Sequence, residues 1–419
     1  MELLPSWRPL LSNFFSLGFL KLTDALILII IIPIIIGRIG IANYGIIALV
    51  QVFLNYGKTI IDYGFNISGV RQIALARSER AMSDRIFYDI LYTRAFVCIL
   101  LMAILYLVVQ AVPYLYQNAV VFYWGMFLWI GHTVFTDWFF IGMKRSEYIA
   151  RANLVAKLLY AMSVILFIHE PSDMKFVLAF QGMAALITGV FILYFIRVRF
   201  RIRFATPRWE PIQAYLRNDF KLLVTNFSIE FNASYSVLIL NILTTNALTG
   251  YYSIMQKLLQ PLRFLLTIFS QTIFPVVCEK TKEGWAHVKS FLRTTFSIFF
   301  LFPIVGVIVF ALVARPVLDY FTGEIPIEMV FLFRVFLAVP VIILFNIPAY
   351  QVLLAYERKS DYTLIFIISM GLTLFLSYVL THQFGLKGLI LSVILVEVFI
   401  TLGLYLMVWK NKSKLIEGN

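Results

Sequence analysis

The stretch LKLTDALILIIIIPIIIG, Leu20 to Gly37, decides what kind of molecule this is. Ala25 to Ile36 supplies about 18 Å of apolar helix at roughly 1.5 Å per residue. A bilayer core is about 30 Å thick and takes about 20 residues. A spanning helix must therefore begin near Leu11 and carry Lys21 and Asp24 into the membrane. Composition agrees with a membrane solvent. The chain of 419 residues is 61% hydrophobic and 14% charged, against about 25% charged in soluble domains. The two cysteines, Cys98 and Cys278, fall in or at the end of apolar segments and read as free thiols rather than a disulfide framework. The first apolar run is too long for a cleavable signal peptide and flows into the rest of the chain.

Apolar runs of spanning length lie near 11–36, 41–69, 89–112, 119–141, 152–170, 174–196, 219–243, 250–276, 289–313, 327–350, 360–382 and 386–409. The fold class expected is all-α integral membrane, with twelve transmembrane helices in two six-helix bundles around a central cavity. The connections alternate in charge. Most of the 35 Lys and Arg fall on the side of the N-terminus, while the opposite side holds Arg38, Lys175, Arg315 and Lys387. The positive-inside rule then places both termini in the cytoplasm. It also accounts for the net charge of +13 without nucleic acid as a partner.

The longest basic connection, RVRFRIRFATPRWEPIQAYLRNDFK (Arg197 to Lys221), sits at mid-chain and divides the sequence into bundles 1–205 and 206–419. A faint internal echo, ANYGIIAL (Ala42 to Leu49) against TGYYSIMQ (Thr249 to Gln256), follows the first helix of each half. Parallel repeats with the substrate site between them are a common transporter design. YGKT (Tyr56 to Thr59) imitates the end of a phosphate-binding loop, but Val52 stands where that motif needs glycine. Neither H-E-x-x-H nor C-x-x-C spacing occurs, so no metal and no cofactor is expected.

Charges inside spanning helices cost about 2.5–3.5 kcal/mol each, so each asks for a reason. On helix 1, Asn13, Ser16, Lys21 and Asp24 share one face; they line a hydrophilic cavity, or Lys21 snorkels beside a neutralising Asp24. Lys58 and Asp62 stand one turn apart on helix 2, with Asp62 nearer the cytoplasmic end and open to a purely structural role. Glu230 lies in TNFSIEFNASYS (Thr225 to Ser236), the most polar spanning segment, as a coupling-ion site or a hydrogen-bonded buried acid. Helix 8 carries Lys257 and Arg263 around Pro261, which is expected to break the helix. Arg334 lies on helix 10 and Glu397 on helix 12. Helix 4 carries His132 and Asp137 among Trp124, Trp129 and Trp138, aromatics suited to sugar stacking or to an interfacial belt. The deep bases Lys21, Lys58, Lys257, Arg263 and Arg334 come from both halves and would make a cavity that attracts anions. Asp24, Asp62 and Glu230 are the coupling-ion or gating candidates.

GRIGIANYGIIALVQVFLNYGKTIIDYGFNISGVRQIALAR (Gly37 to Arg77), and within it IDYGFNISGVRQIA, resembles the opening of the Wzx-type O-antigen flippases of the MOP superfamily. TGYYSIMQKLLQPLRFLLTIFSQTIFPVV (Thr249 to Val277) resembles that family's helix 8. The resemblance implies a non-enzymatic transporter of the bacterial inner membrane. Its substrate would be an undecaprenyl-diphosphate-linked oligosaccharide, moved from the cytoplasmic to the periplasmic leaflet. It implies H+ or Na+ as counter-ion, and membrane lipids, a polysaccharide polymerase and a chain-length regulator as partners. Related lipid II flippases have essential bases in helices 1, 2 and 8; Lys21, Lys58, Lys257 and Arg263 occupy those helices here, without a motif to match them one by one. A multidrug or small-molecule antiporter of the same superfamily is the rival reading, although its usual cationic substrates would prefer an acidic cavity.

Overall fold

A computed structural model describes residues 29–77 and 79–411; Lys21 and Asp24 lie outside the described residues. Every element of regular structure among them is helical. Nine helices among the described residues are long and apolar enough to cross a membrane, and the chain is an integral membrane protein.

The chain folds into two compact units, the first running from Ile30 to Asn241. It opens with α1 (Ile29–Ile39) and α2 (Ile41–Asp62). The apolar run expected over 41–69 is cut at Asp62, because Tyr63 and Gly64 both turn into the left-handed region (φ 46° and 90°). A side chain at Gly64 would also meet Leu222 Cβ at 2.5 Å. The chain resumes in α3 (Ser68–Leu75) and α4 (Arg80–Ala111), then the single turn α5 (Pro113–Tyr116). The next span, 119–142, is built of three pieces, α6 (Ala119–Gly125), α7 (Phe127–Val134) and α8 (Asp137–Gly142). After these come α9 (Ser146–Phe167) and α10 (Met174–Phe195), the latter ending in a π turn over Ile196–Phe200.

Glycines set how closely these helices approach. A Cβ at Gly57 would fall 2.0 Å from the Trp129 ring, whose Nε1 donates to the Leu54 carbonyl at 2.7 Å. Between α7 and α10, Gly131 and Gly182 allow near backbone contact, since a Cβ on Gly182 would lie 2.3 Å from Leu128 N. Without a hydrophobic force between helices in lipid, such small-residue crossings are a main source of association. The YGKT tetrapeptide is thus part of a packed helix. Arg38 caps the C-terminal end of α9, donating to the carbonyls of Val164, Ile165 and Ile168 at 2.6–3.0 Å.

The basic mid-chain connection docks on this unit. Its helix α11 (Trp209–Asn218) lies over the Tyr63 turn: Tyr63 donates to the Leu216 carbonyl at 2.9 Å, Tyr215 to Gln72 Oε1 at 2.6 Å, and Ser68 to Asp219 Oδ2 at 2.6 Å. Burial, reinforced by Asp89 and Asp219, holds the Tyr215 phenol above its ordinary range. Arg208 pairs with Asp89 at 3.0 Å. The helix that follows, α12 (Phe220–Leu243), belongs to this unit up to Asn241.

The second unit begins at Ile242. Its helices are α13 (Asn246–Thr281), α14 (Trp285–Phe299), α15 (Leu301–Leu312), α16 (Ala314–Thr322), α17 (Ile327–Phe336), α18 (Ala338–Ala355) and α19 (Lys359–Lys410). Contrary to expectation, α13 runs unbroken through Pro261 and Pro275. Each proline removes one N–H donor without interrupting the helix, which neighbouring packing tolerates in membranes. The 52-residue α19 is a hairpin of two helices. Gly385 reverses the chain at φ 58°, a Cβ at Gly388 would overlap the Leu380 carbonyl oxygen at 1.8 Å, and Ser377 and Ser392 meet across the hairpin at 3.1 Å.

Candidate functional site

In the first unit a buried ionic network joins three helices. Asp62, the last residue of α2, accepts from Arg94 Nη2 of α4 at 3.0 Å and meets His132 Nε2 of α7 at 2.8 Å. Arg94 has no exposed surface. It also donates to the carbonyls of His132 (2.8 Å) and Phe135 (3.2 Å), which are freed where α7 gives way to α8. A buried arginine thus caps a helix break and neutralises an acid at once. Because Asp62 is held by Arg94 and His132, Lys58 one turn earlier forms no ion pair among the described residues and is exposed.

Glu230 on α12 is half-buried and accepts from Ser234 at 2.7 Å; no basic group pairs with it among the described residues. Beside it, Tyr56 of α2 packs against Phe227 and Phe231 at 5.5 and 5.9 Å, its hydroxyl buried with no partner among the described residues. The tryptophans of the third span divide. Trp129 and Trp138 are buried in the unit, 3% and 2% exposed, and are closed to either sugars or the membrane interface. Trp124 is 37% exposed and stacks on Phe127. Asp137 accepts the backbone N–H of Trp138.

In the second unit Lys257 and Arg263 are half-buried on α13. The Nε of Arg263 is buried with no hydrogen-bond partner among the described residues, and its charge acts on Glu397 of α19. Glu397 accepts from Asn346 of α18 at 3.4 Å, and Asn346 in turn accepts from Thr401. Arg334 stands apart from this group: exposed at the last turn of α17, it donates to the Ala311 carbonyl at 3.0 Å, near the end of α15. Of the expected bases, then, Arg263 joins a polar cluster inside its unit, Lys58 borders one, and Arg334 caps a helix end. His132 and Glu397 show in the sequence as ionisable groups inside spanning segments, and Arg94 falls within the apolar run 89–112. The sequence carries no sign of which partner each meets.

The family model of the polysaccharide biosynthesis proteins matches residues 10–281. The chain belongs to that family. The "Putative O-antigen transporter" of Escherichia coli (strain K12) is 21% identical over 407 residues, covering 96% of this chain and 97% of the relative. Its namesake in Shigella dysenteriae is 20% identical over 370 residues, 87% and 91% of the two chains. Among solved structures, an inward-facing multidrug resistance MATE transporter of the MOP superfamily superposes with TM-score 0.70 at 14% identity, covering 96% of this chain and 99% of that one. The lipid II flippase MurJ, in an inward closed conformation, gives 0.69 at 10% identity, covering 94% and 87%. This member of the polysaccharide biosynthesis family therefore has the fold of the MOP transporters, and the relatives named are transporters and flippases rather than enzymes.

Proposed function

We propose that the chain is a flippase for undecaprenyl-diphosphate-linked oligosaccharide repeat units of the O-antigen type, working from the cytoplasmic to the periplasmic leaflet of the bacterial inner membrane by alternating access. The family match supports this reading, and the observation that carries it is an exposed Lys58, with no ion pair among the described residues, beside an acid already neutralised by others. In this reading twelve spans form the halves 1–205 and 206–419, with both termini cytoplasmic. Lys21, Lys58, Lys257, Arg263 and Arg334 meet the diphosphate and the sugars. Charge is the reason: a diphosphate alone in hydrocarbon would cost tens of kcal/mol on idealised estimates, and fixed cations offset that cost while the prenyl tail stays in lipid.

Two negative charges leaving a cell interior held at −100 mV would gain about 4.6 kcal/mol, enough for the potential to contribute to the drive; exchange for H+ or Na+ through Asp24, Asp62 or Glu230 is the other route. The polymerase and chain-length regulator would receive the product. The experiment that tests the reading is export of surface polysaccharide in cells whose only copy carries Lys58→Ala, beside Lys58→Arg, at matched membrane level. Loss with alanine and recovery with arginine is expected. Normal export with alanine would remove Lys58 from the site. The fold likeness to a multidrug transporter favours one alternative, a cation-coupled antiporter; that reading requires drug resistance, not polysaccharide export, to follow the protein.

A further inference from the structure

Where the π turn ends the span Pro171–Phe200, the chain and the start of α4 enclose a cleft of about 900 Å³ that the transport reading does not use. Arg197, Arg201 and Arg203 line it from one side and Arg85 from the other, with Asp84 as the acid in its wall. Some neighbouring cations have partners, while Arg199, Lys144 and Arg151, like the cleft arginines, form no ion pair among the described residues. Arg208 is paired with Asp89, Arg145 with Glu147, and Arg77 donates to the Gly142 carbonyl. The four cleft arginines form no ion pair among the described residues, and one oxygen of Asp84 is buried without a hydrogen bond among them.

Arg201 ends the π turn in a left-handed backbone (φ 54°), the same kind of helix end that Tyr63 makes after α2. Val198 and Phe204 beside it are 58% and 64% exposed, so an apolar rim borders the cationic interior at the end of a spanning helix. The four cleft guanidiniums outnumber the one carboxylate, so the cleft carries a net positive charge that an entering anion would offset. Guanidinium forks fit phosphate oxygens two at a time, and basic pockets at membrane helix ends are where phospholipid head groups bind.

We infer that this cleft binds the phosphate head group of a membrane lipid, its chains lying against Val198 and Phe204. The phosphate could come from bulk anionic phospholipid or from a prenyl diphosphate; the site does not depend on the transport reading, because binding is measured on the resting protein.

The test is native mass spectrometry of the full chain in detergent, delipidated and then titrated with phosphatidylglycerol, undecaprenyl diphosphate or zwitterionic phosphatidylcholine. Arg197→Gln/Arg203→Gln should weaken the anionic lipids about tenfold per lost charge-assisted contact and leave phosphatidylcholine unchanged, while the lysine double variant keeps most of the affinity. Arg145→Gln/Arg151→Gln, which removes two charges elsewhere on the same unit, should have little effect. Preference for undecaprenyl diphosphate would assign the cleft to a prenyl diphosphate, and equal or greater affinity for phosphatidylglycerol to bulk lipid. Equal losses in the cleft and control variants, no loss in either, or phosphatidylcholine binding as tightly as phosphatidylglycerol would overturn the assignment. Arg201→Asn tolerates the left-handed backbone and Arg203→Gln touches an exposed side chain, so either serves if the double variant melts early.

Discussion

The two membrane-embedded ionic clusters are built to different standards. Around Asp62 the ion pairing is direct: the acid has two nitrogen partners, and Arg94 gives its two terminal nitrogens to Asp62 and to two carbonyls at a helix break, with its Nε, like that of Arg263, left without a partner among the described residues. Around Glu397 the bonding is thin. The acid has one contact at 3.4 Å, and the Nε of its cationic neighbour Arg263 has none among the described residues. An acid held by two close nitrogen partners fixes the helices that supply them. An acid with a single long contact retains capacity for a ligand or an ion. The first cluster reads as scaffold, with Lys58 released at its edge, and the second as working surface.

Four variants probe that contrast, in order of expected effect. Arg94→Met leaves the half-buried Asp62 beside a histidine alone and uncaps the α7 break; breaking such a network costs about 3–5 kcal/mol. A large drop in the melting temperature of the detergent-purified protein is the expected result, and an unchanged melt would end the claim that this cluster is structural. Gly57→Ala drives a methyl into the Trp129 ring and should destabilise by about 1–3 kcal/mol, seen in the same melt and in weaker expression. Glu397→Gln retains a partner for Asn346, so a stability change of about 1 kcal/mol or less is expected together with reduced polysaccharide export. If export is normal, the thin cluster has no working role. Because Lys58 forms no ion pair among the described residues, Lys58→Ala should leave the melt within about 0.5 kcal/mol, so that the export defect expected of it can be charged to lost function rather than lost protein.

The helices were legible because their cause is local. A run of apolar residues long enough for a bilayer must satisfy its own backbone, and the spans at 119–142, 246–281 and 327–355 fall where hydropathy put them. Their terminations were less so. The sequence shows YG at Tyr63–Gly64 but not that the turn is covered by α11 and the start of α12, since that depends on Leu216 meeting Tyr63 across 153 positions and Tyr215 meeting Gln72 across 143, with Leu222 against Gly64. Pro261 looked like a break and is not one, because the neighbours of α13 decide whether a missing hydrogen bond interrupts a helix.

Charge followed the same division. That Asp62, Arg94, His132, Arg263 and Glu397 each lie inside apolar runs could be read directly, since every ionised group in hydrocarbon is conspicuous by its cost. Which of them neutralise one another could not be read, because an ion pair forms across helices whose rotation and depth only packing sets. In the sequence Lys58 and Asp62 stand one turn apart on the same face. Tertiary structure gave that acid to Arg94 and His132, and left the lysine exposed.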